Sequence, residues 1–168
     1  MRDSALIHDP APIHDPVALT RHIETRYHAR HRQQLPKLVM LAKTVEDLHA
    51  PDRGVPEGLT AILRRMMGEM EVHMKTEELM LFPVIRSGGN GALPERIPAM
   101  RADHDDHERD LVAIRRLTDD LTVPEGACQP WITLYEGLAE FSRDLSEHIR
   151  LENEILFPQF EPEARVDS

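Results

Sequence analysis

Apolar residues recur along this chain at intervals of three and four, and no stretch keeps up a two-residue alternation, so the pattern predicts helices and no strands. Leu35, Leu38, Val39, Ala42, Val45 and Leu48 form the inward stripe of a first helix over residues 16–49. Asp15 supplies its N-cap and Pro16 its first position, and Pro36 should kink it. After a break at 50–56, Leu59, Ile62, Leu63, Met66, Met67, Met70 and Met74 mark a second helix over residues 57–85. Ser-Gly-Gly-Asn-Gly at 87–91, ahead of Pro94 and Pro98, is the strongest loop signal. A third helix over 97–121 then turns Leu111, Val112, Ile114 and Leu117 inward, and residues 123–130 lead into a fourth over 131–156. Segments about 40 Å long, joined by short loops, predict an all-α fold: an antiparallel up-down-up-down four-helix bundle. Residues 1–15, which repeat His-Asp-Pro at 8–10 and 14–16, read as an extended tail, 16–162 as one domain and 163–168 as a C-terminal tail.

Composition narrows the function. A chain of 168 residues with 40% apolar and 30% charged side chains has the size of one domain, and no apolar run approaches the length of a membrane span. The formal net charge of −10, with no Lys/Arg patch, argues against nucleic acid as a partner. One cysteine, Cys128, leaves no room for a disulfide framework, a four-cysteine zinc site or a cysteine-held iron–sulfur cluster. No basic segment leads into an apolar stretch of signal-peptide length, which makes the cytoplasm the expected compartment. Against 4% aromatics stand ten histidines, a surplus that points toward metal.

The histidines carry a repeat. His-Met-Lys-Thr-Glu-Glu-Leu-Met-Leu-Phe-Pro at 73–83 and His-Ile-Arg-Leu-Glu-Asn-Glu-Ile-Leu-Phe-Pro at 148–158 share His, three residues, Glu, three residues, Leu-Phe-Pro. A further histidine lies upstream of each copy, His28 before the first and His104 before the second. Residues four apart share a helix face, so His73 with Glu77 and His148 with Glu152 can each reach one centre. A pseudo-twofold bundle brings four imidazoles and two carboxylates together, the donor set of a dinuclear metal site. Imidazole and carboxylate without thiolate suit iron or manganese and are compatible with zinc; iron is the expected metal. With Glu77 and Glu152 each bridging, two iron ions receive two histidines and two carboxylate oxygens apiece. A shared oxo or hydroxo ligand makes five, and one octahedral position stays open for a small molecule.

The other candidates are weaker. His49 follows His28 by about 31 Å of helix and is left out. His31, His107 and Glu69 are placed to orient ligand rings or to face the bundle edge. His8, His14 and His22 read as solvated, Cys128 as a loop residue without a role, and the methionines from Met66 to Met80 as core. The Leu-Phe-Pro triplets read as packing and helix termination.

The four stretches at 26–36, 73–83, 101–108 and 148–158, in that order and spacing, resemble the hemerythrin-like di-iron proteins, and among them the repair-of-iron-centres family linked to nitric oxide and oxidative stress. The loop Pro-Glu-Gly-Ala-Cys at 124–128 is also similar to that family. The resemblance implies a non-haem di-iron centre held by His28, His73, His104, His148 and the bridging Glu77 and Glu152. It implies nitric oxide or oxygen as ligand, iron donation to damaged iron–sulfur proteins, and an electron donor. Alternatives from other classes are a nitric oxide reductase or peroxide-consuming enzyme, and an oxygen-binding or iron-storing protein. Oxygen carriers of this type use a fifth histidine that the fourth helix does not offer here. Longer members of the repair family carry a small N-terminal domain with adjacent cysteines, where this sequence reads as a short cysteine-free tail.

Overall fold

The computed structural model describes residues 10–162, and all of its regular elements are helical. His8 and most of the two expected tails lie outside the described residues. Four long helices follow one another. The first, α1 (residues 16–49), comprises the α-helical Pro16–His22, a π-helical turn Ile23–His28 and the α-helical Ala29–His49. The second, α2 (residues 59–86), joins Leu59–Thr76, the π turn Glu77–Leu81 and Phe82–Arg86, and α3 spans Leu93–Leu117. The fourth, α4 (residues 129–159), runs from Gln129–Arg150 through the π turn Leu151–Leu156 into a 3₁₀ turn, Phe157–Gln159.

Asp15 caps α1 as expected, its carboxylate accepting from the amides of Val17 at 3.0 Å and Ala18 at 3.1 Å. Ahead of it, Ala11 packs against the apolar core. The helix continues through Pro36, which sits inside Ala29–His49. The third helix starts four residues before the expected point, because Pro94 falls in the first turn, where its missing N–H costs nothing. It also stops earlier: Asp119, Asp120 and Leu121 all take positive φ, and this left-handed turn ends the helix after Leu117. Three expected inward residues point out instead. Val112 is 48% exposed, Leu48 65% and Met80 44%. Val112 follows the buried Leu111, and one residue along a helix rotates the side chain by about 100° away from the core. Leu48 stands in the last turn of α1, past Val45.

Two apolar clusters fill the bundle. One joins the C-terminal halves of α1 and α3 to the N-terminal halves of α2 and α4, from Leu35 and Leu38 across Met66 and Met70 to Trp131 and Phe141. The other joins the opposite ends, among them Leu19, Ile23, Phe82, Ile97, Leu156 and Phe157. That pairing of ends is the antiparallel up-down-up-down order. Between the clusters, at one height on all four helices, lies a buried polar layer: His28 and His31, His73 and Glu77, His104 and His107, His148 and Glu152.

Candidate metal centre

All six side chains singled out by the repeat converge in this layer. His28, Glu77 and Glu152 are 0% exposed, His104 and His148 1%, and His73 3%, so water does not solvate them. Their donor atoms form two groups of four, each within 4.8 Å: His28, Glu77, His148 and Glu152, and His73, Glu77, His104 and Glu152. Both glutamates belong to both groups. Each group draws one histidine from each half of the repeat, so the halves interlock rather than making separate sites. Among the described residues no other such group occurs.

The distances show atoms aimed at common points. His73 Nε2 and His104 Nε2 are 3.1 Å apart, the spacing of two nitrogens about 2.1 Å from one ion at near right angles. Glu77 lies 2.7 Å from His73 Nε2 through one oxygen and 3.2 Å from His28 Nε2 through the other. Glu152 lies likewise 2.9 Å from His104 Nε2 and 2.6 Å from His148 Nε2. Yet both oxygens of Glu77, Glu152 Oε2 and both nitrogens of His28 make no hydrogen bond of proper geometry. Buried carboxylates and imidazoles so placed are costly unless a cation joins them. The donor set, nitrogen and oxygen without sulfur, fits iron.

Three π turns build this geometry. The amides of Ala29, Phe82 and Phe157 each reach back five residues, to the carbonyls of Glu24, Glu77 and Glu152. Each extra residue in the turn lies at a member of the cluster, a placement typical of functional sites. The Leu-Phe-Pro triplets contribute more than termination: Phe82 stacks on His28 with centroids 5.9 Å apart, and Phe157 on His104 at 5.8 Å. These rings lie against two histidines of the cluster.

Behind the ligand faces, outer partners fix each ring. His104 Nδ1 donates to Asn153 at 2.7 Å, and His73 Nδ1 to Asp103 at 3.0 Å. His148 Nδ1 is 3.0 Å from His31 Nε2; His31 Nδ1 lies 3.4 Å from Gln34 Oε1, and Gln34 donates to Asp144 at 2.8 Å. With His148 Nε2 turned to Glu152, its Nδ1–H donates to His31, which passes the hydrogen bond to Gln34. The corresponding contact of His28 is Glu78, at 3.7 Å and anchored by Arg32. His31 therefore orients the His148 ring. Glu69 is exposed, and the place expected for it behind His73 belongs to Asp103, which reaches over from α3. His107 is buried beside His73, centroids 5.4 Å apart, with neither nitrogen hydrogen-bonded. His49 and Cys128 meet elsewhere, at the loop end of the bundle. His14 is exposed as expected, but His22 is half-buried, edge-on to Tyr27.

Charge is divided unevenly. Burial and the Glu152 carboxylate push Glu77 up, but His73 and His28 outweigh them and hold it below its usual value. Burial also opposes ionisation of Glu152, and His104 pulls it down. Both therefore stay anionic and draw positive charge inward. His28 rises to about 9 against its burial, through Glu77 and Glu78. Burial and the adjoining His148 push His31 down to about 3, and burial with His73 and His104 pushes His107 down to about 4, so both are neutral rings.

A family model described as the hemerythrin HHE cation binding domain matches residues 20–160. The chain is 45% identical over 141 residues to the iron–sulfur cluster repair protein YtfE of Yersinia pseudotuberculosis serotype IB (strain PB1/+), an alignment covering 84% of this chain and 64% of that protein. The same identity and coverage hold for YtfE of Yersinia pestis (strain Pestoides F). The chain thus spans 64% of the length of these relatives. None of the described helices is long and apolar enough to cross a membrane.

Proposed function

The chain belongs to the hemerythrin HHE cation-binding family, and from that premise we propose that its buried polar layer holds two iron ions and serves nitrosative and oxidative stress defence, including iron donation to damaged iron–sulfur proteins. The observation that carries the reading is the sharing of Glu77 and Glu152 by both donor groups. His28 and His148 would hold one ion, His73 and His104 the other, and Glu77 and Glu152 would serve both. A bound iron pair would supply redox change and a coordination position for a small ligand such as nitric oxide or oxygen. The residues around it do the rest. Phe82 and Phe157 exclude water over the imidazoles, and Asp103, Asn153, His31 and Glu78 hold the rings so that Nε2 faces inward. Similarity to proteins named for iron–sulfur cluster repair supports iron donation as the task.

Two experiments separate the parts of this reading. Reduced, iron-loaded protein exposed to nitric oxide should change its optical and EPR spectra; unchanged spectra would remove nitric oxide as the ligand. Iron-loaded protein incubated with an oxidatively damaged iron–sulfur enzyme should restore activity in the presence of a chelator that captures free iron. No recovery beyond that of ferrous salt alone would overturn iron donation and leave iron binding standing.

A further inference from the structure

At the loop end of the bundle, three reactive side chains meet in line. α1 ends at His49, whose Nε2 lies 3.0 Å from Cys128 Sγ and whose Nδ1 lies 2.6 Å from Asp52 Oδ2. The imidazole rests against Trp131, centroids 4.8 Å apart. Cys128 is half-buried and so reachable, and it stands as the extended N-cap residue of the 22-residue helical segment Gln129–Arg150. None of these residues belongs to the two donor groups of the metal centre. A thiol on one nitrogen of an imidazole and a carboxylate on the other is the arrangement that activates a sulfur nucleophile.

We propose that Cys128 is a nucleophilic thiol, activated by His49 and oriented through Asp52, that forms mixed disulfides with low-molecular-weight disulfides. The thiol proton passes to His49 Nε2, while Nδ1–H donates to Asp52. The thiolate attacks one sulfur of the incoming disulfide, a new S–S bond forms, and the old one breaks to release the other half as a thiolate with its electron pair. The incoming disulfide is itself the oxidant. His49 and, behind it, Asp52 are the titratable groups that act on the sulfur. Burial opposes ionisation of Cys128, but the Trp131 amide and His49 outweigh it and hold the thiol below its usual range. The Asp52 hydrogen bond raises His49. Cys128 is the single cysteine of the 168 residues, so no second thiol among them resolves the adduct, and it lasts until an external thiol removes it.

The test uses the full, iron-loaded chain. Oxidised glutathione should add one glutathionyl group, seen by intact mass and lost in Cys128→Ser; no adduct on the wild type overturns the proposal. With dithiobis(nitrobenzoate) at about pH 6, the wild type should react at least about tenfold faster than a cysteine peptide. His49→Leu should lose about that factor, Asp52→Asn part of it, and all three proteins should converge within about twofold near pH 10, where every thiol is ionised. A His49→Leu rate equal to wild type at pH 6 contradicts activation. If His49→Leu does not fold, the wild-type pH–rate profile decides: an inflection below about 7.5 supports the proposal, and one at the ordinary thiol value of about 8.5 overturns it.

Discussion

Behind His148 stands an uncharged chain, His31 and then Gln34, that reaches a carboxylate only at Asp144, whereas behind His73 stands a carboxylate itself, Asp103, 43% exposed at its side chain. The remaining pair is reversed. His28 faces the Glu78 carboxylate, and His104 faces the Asn153 amide, at equivalent positions of the repeat. One doubled motif has thus produced two donor groups with the same inner atoms and different support. A carboxylate behind an imidazole raises its basicity more than a neutral acceptor does. On the proposed di-iron reading, the difference makes the two ions inequivalent, each tuned through a different histidine.

The largest break in this comparison comes from what the halves share. Glu77→Leu or Glu152→Leu removes an acceptor from both donor groups and should cost nearly all the iron, whereas His148→Ala or His73→Ala should cost mainly the ion of its own donor group. Metal analysis of the purified variants checks this. Full iron loading in Glu77→Leu would show that the bridge is wrongly assigned.

The two stacked phenylalanines should behave alike in the two halves of the repeat. Phe82 and Phe157 are both buried and both stack on a ligand ring. Phe82→Ala and Phe157→Ala should therefore each lower unfolding free energy by about 3–5 kcal/mol. Denaturant unfolding measures it, and a large difference between the two would break the pseudo-twofold description.

The outer partners should separate the halves. His31→Leu removes the acceptor behind His148, and Asp103→Asn weakens the one behind His73. Each should reduce iron affinity by about 10–100-fold in one donor group only. Mössbauer spectra of ⁵⁷Fe-loaded protein should show one of two quadrupole doublets altered, a different one in each variant. The smallest effect belongs to His107→Leu. His107 occupies the repeat position of His31 but makes no hydrogen bond, so an apolar replacement of similar size should leave iron affinity within about threefold and stability near neutral.

The four helices and the six converging side chains were legible in the sequence because each rests on local spacing: a three-and-four apolar period, and His-x-x-x-Glu written twice. What stayed hidden depends on tertiary packing. The i−4 position suggested Glu69 as support for His73, but the group that arrives is Asp103, brought by the crossing of α3 over α2. Asn153 and Glu78 could have been found, since each directly follows a glutamate of the motif. His49 and Cys128 are 79 residues apart, and only closure of the bundle sets them side by side. The π turns leave no pattern, since an extra residue in a helical turn changes neither composition nor the neighbouring apolar period.

Anaerobic titration of metal-free protein with ferrous iron, followed by absorbance after oxidation, counts the ions that Glu77 and Glu152 share. The wild type should show a break at two irons per chain, and Glu77→Leu/Glu152→Leu no dinuclear absorption. A break at one iron, or an unchanged spectrum in the double variant, would contradict a centre shared by the two glutamates.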